Sequence, residues 1–387
     1  MKVAIVEFTP SGGLFQFSSQ FADGLAESCE VHLITGPDPE LGPQHPAHHV
    51  HAVLPTWHPA DAEPVGPWTR TVRRAFRAVR LVLAWVVAAI RLRRLRPDAV
   101  IWSSWRFSID ALGALAVRRL LPRAVLALVA HEPVGRVRRD TTRERRGRVL
   151  DLTMERAWAC LDVVFVLGET ARAAVLASRP VRGRVVVIPH GDESALRHGA
   201  PVPACRDTGP VVLFFGGWTA YKGIDLLLDA VPRTRAAVPD VRVVLAGAVL
   251  HTPPALLERA ADLGVDARPG YVPVDEVPAL LASARVVVVP YRRATQSGVV
   301  HLAYTFERPV VATAVGELPA VVADGGTGLL VEPGDADALA DALVALLADP
   351  DRAHRLGAAG AAWLATESSW PAIGRRAHGA LLAARGR

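Results

Sequence analysis

Two short stretches place glycine, hydroxyl and cationic residues together in the way that anion binding requires, and a third has the glycines and hydroxyls alone. In Phe215-Gly216-Gly217-Trp218-Thr219-Ala220-Tyr221-Lys222-Gly223-Ile224-Asp225 a glycine turn leads to a lysine where a helix should start. Free amides at a helix start, reinforced by an ammonium, suit a diphosphate. In Pro290-Tyr291-Arg292-Arg293-Ala294-Thr295-Gln296-Ser297-Gly298-Val299, Ser297 is placed to cap a helical run over 300–306, and Gly298 lets its amide reach a phosphate. Capping alone explains the Ser-Gly pair equally well. Thr9-Pro10-Ser11-Gly12-Gly13 closes the first strand and opens a helix at Leu14. It is no GxGxxG fingerprint, and Thr35 stands where a dinucleotide site wants an acid, so a tight turn and a ligand contact both fit.

Lys222 is conspicuous. Of 44 basic residues only Lys2 and Lys222 are lysine, and a compact ammonium is not interchangeable with a guanidinium. Cys29, Cys160 and Cys205 have neither pairing nor metal-ligand spacing, which points to buried thiols in a reduced cytoplasmic protein. Residues 1–7 read as a strand rather than a signal peptide. The apolar run over 81–90 is far short of the roughly 20 residues that span a bilayer. A net charge of +6 permits nucleic acid, a phosphorylated substrate or a membrane surface. Nucleic acid is disfavoured, because no stacking motif, helix-turn-helix or zinc pattern accompanies the charge.

These residues need a frame. With 387 residues, 51% hydrophobic and 21% charged, two globular domains are expected. Strands are expected over 2–8, 30–35, 49–54, 99–104, 124–131, 162–167 and 184–189, with helices in most of the gaps, the clearest over 14–28, 70–95, 107–120 and 144–160. A polar, Pro- and Gly-rich stretch over 190–210 reads as a linker. Strands resume over 211–215, 241–246, 285–290, 309–313 and 328–332. The fold class is α/β, two doubly wound Rossmann-like domains facing across a cleft, with ligands at the carboxyl ends of the strands. The boundaries are 1–195, 205–368, and a last helix over 369–387.

The second half resembles glycosyltransferase family 4. The resemblance runs through the Gly-x5-Lys-Gly turn, Leu245-Ala246-Gly247, Gly270-Tyr271-Val272, Thr295-Gln296-Ser297-Gly298-Val299, 309–313 and 328–331. It continues more weakly through Gly12-Gly13, His131-Glu132 and His190-Gly191-Asp192. It implies the GT-B fold and a retaining, metal-independent glycosyltransferase with no cofactor, whose substrate is a nucleotide-diphosphate sugar. Lys222 would neutralise the donor diphosphate. The amides of Ser297, Gly298 and Val299 would cradle it, with Gly216, Gly247 and Gln296 alongside. Val272 would meet the base through its backbone. His131 would face the transferred sugar near Gly13, and His190 would join the donor site. The last helix would cross back onto the first domain.

Gly217 stands where the family has arginine, and Ala294 and Leu302 stand where it has glutamates; the acid often found at position 320 is Ala320. Glu307 and Glu317 are the nearby acids. These departures keep open a catalytically silent homologue acting as a binding partner. Arg136, Arg138 and Arg139 lead an arginine cluster placed to meet an anionic, lipid-linked acceptor or polysaccharide precursor. Arginines 70, 73, 74, 77 and 80 precede the apolar run, as a peripheral membrane contact or as the wet side of a core helix.

Overall fold

A run such as Val125-Leu126-Ala127-Leu128-Val129-Ala130 has no polar side, so it is stable as a strand only where both faces are covered, as in parallel sheets under crossover helices. The computed structural model describes residues 1–56, 67–105, 108–131, 148–197, 199, 201–251 and 254–386. The chain forms two compact units, Met1–Gly191 with Trp370–Arg387, and Asp192–Ser369.

The first unit comprises β1 (Lys2–Val6), α1 (Gly13–Ala26), β2 (Glu30–Thr35), β3 (His48–Ala52), α2 (Pro67–Leu95), β4 (Ala99–Trp102), α3 (Ser108–Leu120), β5 (Val125–Ala130), α4 (Arg148–Ala159), β6 (Val163–Val166), α5 (Glu169–Ser178) and β7 (Arg184–Val187). The strands pair in parallel in the order β3-β2-β1-β4-β5-β6-β7, so the winding reverses between β1 and β4. All seven expected strands are present, and α5 fills the gap between β6 and β7. Val6, Trp102, Leu128 and Val166 pack on one side with Trp85 of α2, whose indole donates to Asp110 at 2.9 Å.

The second unit comprises β8 (Val211–Phe215), β9 (Trp218–Thr219), α6 (Ile224–Ala237), β10 (Arg242–Gly247), β11 (Val249–His251), α7 (Pro254–Asp262), β12 (Asp266–Pro269), α8 (Val277–Ser283), β13 (Val286–Val289), α9 (Gly298–Thr305), β14 (Val310–Thr313), α10 (Leu318–Val321), β15 (Gly328–Val331), α11 (Ala336–Leu347) and α12 (Pro350–Glu367). Its main sheet is ordered β12-β10-β8-β13-β14-β15, and β9 pairs separately with β11. The winding reverses between β8 and β13.

The stretch read as a linker contains the division between the units at Gly191 and Asp192, and its remainder is fastened to the second unit. It holds two 3-10 turns, Ser194–Arg197 and Cys205–Asp207. The buried Cys205 thiol lies 3.2 Å from the Arg285 carbonyl, and the fully buried Arg308 donates to the carbonyls of Pro203, Leu281 and Ala282. Carbonyl-to-arginine contacts have no periodicity, so the sequence does not reveal them. Helix α13 (Trp370–Arg385) belongs to the first unit and packs on α1 so closely that a Cβ on Gly374 would fall 2.0 Å from the Gly24 carbonyl oxygen.

Candidate functional site

Where a doubly wound sheet reverses, neighbouring loops leave for opposite faces and open a crevice at the carboxyl ends of the strands. In the second unit the loops at that point are residues 216–223 and 290–297, two of the segments singled out by their residue types. Gly216 (φ +108) and Gly247 (φ +145) lie backbone on backbone; a Cβ on Gly247 would fall 2.1 Å from the Gly216 carbonyl oxygen. Gly270 donates to the Gly247 carbonyl at 3.1 Å, so the ends of β8, β10 and β12 present a ledge of bare backbone. Val272 follows in the loop after β12, half-buried.

Lys222 ends the 3-10 turn Ala220–Lys222, and Gly223 in the left-handed region caps α6, so the lysine precedes the helix rather than opening it. Its Nζ lies 3.1 Å from where a Cβ on Gly216 would sit and 5.1 Å from the centre of the Tyr291 ring. The two loops are fastened together. Gly223 touches the Pro290 carbonyl too closely for a side chain, the Arg292 amide donates to the Tyr221 carbonyl at 2.7 Å, and the Arg292 guanidinium meets Asp225 at 2.5 Å.

Ser297 corrects an expectation. It occupies the N-cap of α9 with extended backbone, yet its side chain makes no capping bond; the hydroxyl donates to the Tyr291 phenol at 3.3 Å. Helix geometry leaves the amides of Gly298 and Val299 without an intrahelical acceptor, and uncapped they remain open to an anion. A Val299 methyl lies 3.7 Å from the same Gly216 Cβ position. The start of α9, the bare Gly216 and the Lys222 ammonium therefore converge. Beside them the Gln296 carboxamide oxygen is enclosed without a hydrogen-bond partner among the described residues.

The departures from the family pattern can be placed in the structure. A Cβ on Gly217 would sit 2.9 Å from a methyl of the exposed Leu250, which can turn aside, so nothing in the structure explains the glycine there. Leu302 is 4% exposed and belongs to the core. Gly316 (φ +56) rests on the Ala294 carbonyl and brings Glu317, the residue before α10, beside the loop. Glu307 lies beyond the far end of α9, roughly 13 Å from its first amides at 1.5 Å per residue.

In the first unit the reversal point is filled by the chain itself. Buried Glu7 accepts from the Thr9 amide at 2.8 Å, from the Thr9 hydroxyl at 2.6 Å and from the Ser103 hydroxyl. The Gly12 amide donates to Glu40 at 2.8 Å, which puts a carboxylate where an anionic ligand would meet the start of α1. Gly13 is the first residue of α1 and has open space above its Cα. His131 follows β5 with its ring edge-on to Phe17, centroids 4.7 Å apart. His190 is buried beside Phe17 and Trp370, its Nδ1 3.0 Å from the Gly191 carbonyl. Arg136, Arg138 and Arg139 lie outside the described residues. Burial pushes the Cys29 thiol up to about 11 and raises those of Cys160 and Cys205, so none offers a thiolate near neutrality.

Residues 209–349 match the family described as Glycosyl transferases group 1. A GDP-mannose-dependent alpha-(1-6)-phosphatidylinositol monomannoside mannosyltransferase of Mycolicibacterium smegmatis is 30% identical over 348 residues, covering 79% of this chain and 84% of that one. Sucrose-phosphate synthase of Thermosynechococcus elongatus shares the fold with a TM-score of 0.70 at 21% identity, covering 98% of this chain and 97% of that one. HepE of Anabaena, solved with UDP and glucose, does so with a TM-score of 0.68 at 16% identity, covering 99% and 100%.

Proposed function

This chain belongs to the group 1 glycosyl transferases, and on that premise we propose that it moves a hexosyl group from a nucleoside-diphosphate sugar to a hydroxyl acceptor, with retention at the anomeric carbon and without a bound metal. What carries this reading is the Lys222 ammonium above Gly216, next to the uncapped start of α9 at the reversal point of the second sheet. As the bond from the anomeric carbon to the diphosphate oxygen breaks, charge builds on the leaving group. A fixed cation and aligned amides stabilise that charge more than they stabilise the bound donor. The acceptor oxygen bonds to the anomeric carbon on the face the leaving group vacates, and its proton passes to the departing phosphate oxygen. That route needs positioning and no side-chain nucleophile.

Within the same reading the amides of Ser297, Gly298 and Val299 hold the diphosphate and the backbone at Val272 meets the base. His131, His190 and Gly13 enter on the resemblance alone. The name of the Mycolicibacterium relative points to GDP-mannose as the first donor to test and to a lipid-linked acceptor. Three unpaired thiols fit a reducing cytoplasmic compartment. Relatives named as transferases, together with the formed lysine site, favour catalysis over a silent homologue.

Calorimetric titration with GDP-mannose and UDP-glucose tests the reading. Lys222→Ala is expected to weaken donor binding by about tenfold to a hundredfold, the worth of a charged hydrogen bond. Unchanged affinity would remove the diphosphate role. The anomeric coupling in the product's NMR spectrum reports retention, and a rate that survives EDTA supports metal independence.

A further inference from the structure

Helix α2 is apolar on two opposite faces. Leu81, Ala84, Trp85, Ala88 and Leu92 are buried against the first sheet and α3. Facing away are Val72, Phe76, Val79, Leu83, Val86 and Ile90, each 45–60% exposed. Steps of four and three residues keep these six on one line along the helix, roughly 27 Å long at 1.5 Å per residue. Single exposed leucines are ordinary on a protein surface, but a continuous apolar stripe marks a contact.

The charges decide what makes that contact. Every ionisable side chain in Pro67–Leu95 is an arginine, eight of them, with no acid. A second copy laid along the stripe would bring arginine against arginine at its margins, where paired helices need opposite signs. An anionic lipid surface answers both features, since its acyl boundary takes the stripe and its phosphates take the guanidiniums at the stripe's margin. Arg91, Arg93 and Arg94 are exposed at the carboxyl end. Arg80 stays beside the stripe, its guanidinium 5.7 Å from the Phe76 ring and bonded to the carbonyls of Pro55 and Thr56. No helix among the described residues is long and apolar enough to cross a membrane, so α2 would lie in the plane of the surface.

We propose that α2 docks the protein on an anionic membrane through the stripe from Val72 to Ile90, with Arg93 and Arg94 on the lipid phosphates. Docking deepens the reading above by supplying the plane in which a lipid-linked acceptor is met, and only that consequence rests on the transferase reading.

Flotation of the full-length protein with phosphatidylglycerol-rich vesicles, against pure phosphatidylcholine, tests it. Recovery on the anionic vesicles should be at least about tenfold higher and should fall with added salt. Phe76→Ser with Leu83→Ser, and separately Arg93→Glu with Arg94→Glu, should each reduce it about tenfold or more while thermal midpoint and donor binding stay unchanged. Wild-type flotation by Lys222→Ala would support docking whatever becomes of the donor reading. Absence of flotation, equal recovery on both vesicles, or undiminished recovery in either double variant overturns the proposal. A dimer in light scattering that Phe76→Ser with Leu83→Ser turns into a monomer gives the stripe to a second copy and overturns it too.

Discussion

Tyr291 serves three neighbours at once. Its ring lies beneath the Lys222 ammonium, its phenol accepts the Ser297 hydroxyl, and its carbonyl accepts from Thr313. Holding an ammonium over a buried ring contributes about 0.5–2 kcal/mol, and more to function if the cation must be in place before the donor arrives. Tyr291→Phe keeps the ring and should leave donor affinity within about threefold. Tyr291→Leu removes it and should weaken the donor about tenfold in the same titration, run well below the variant's lowered thermal midpoint. Equal losses in the two variants would mean that the phenol, not the ring, matters. Lys222 is legible in the sequence because it stands nearly alone among arginines between glycines. The role of Tyr291 is not, because a cation over a ring is a contact between distant residues that spacing cannot encode.

Among elements, the strands were the most legible, for a physical reason: buried parallel strands are written as unbroken valine, leucine and isoleucine. Strand β12, Asp266-Ala267-Arg268-Pro269, lies at a sheet edge and needs no such run, and β9 and β11 are too short to show a period. Edge strand β3 carries an unforeseen feature. His32 sits between His51, with Nδ1 to Nε2 at 2.9 Å, and Glu30, with Nε2 to Oε1 at 2.9 Å, and its ring also packs on His49. Burial holds both His32 and His51 below the ordinary histidine value, against the opposing pull of Glu30 on His32 and with Arg91 reinforcing the shift of His51. A depressed folded pKa means that the unfolded chain binds protons first. The ladder's contribution to stability is therefore full above the unfolded value near 6.5 and is lost as pH falls through the folded value. Amide exchange in β3 should accelerate relative to β5 on acidification below about pH 6.5; His32→Asn should reduce that pH dependence, and His32→Asn with His51→Asn should abolish it.

At the scale of the whole molecule, the two units give ligand binding a local signature. A nucleoside diphosphate that binds only the folded second unit raises that unit's stability, by about 2.7 kcal/mol at a hundredfold excess over Kd. Exchange protection should then rise over residues 216–223 and 290–300 and stay level in β3; a rise confined to the first unit would place the nucleotide elsewhere.

The route of the chain adds a consequence of a different kind. The backbone leaves the first unit at Gly191 and re-enters it at Trp370, whose indole lies on Gly191 so closely that no side chain would fit there. Helix α1 is translated before the second unit, and the helix it packs against is translated after it. The later-translated unit can thus finish folding while the earlier one still waits, with Phe17 and Phe21 lacking the indole that covers them in the finished protein. A nonsense mutation at position 370 would leave the second unit entire and the first without the helix that closes it.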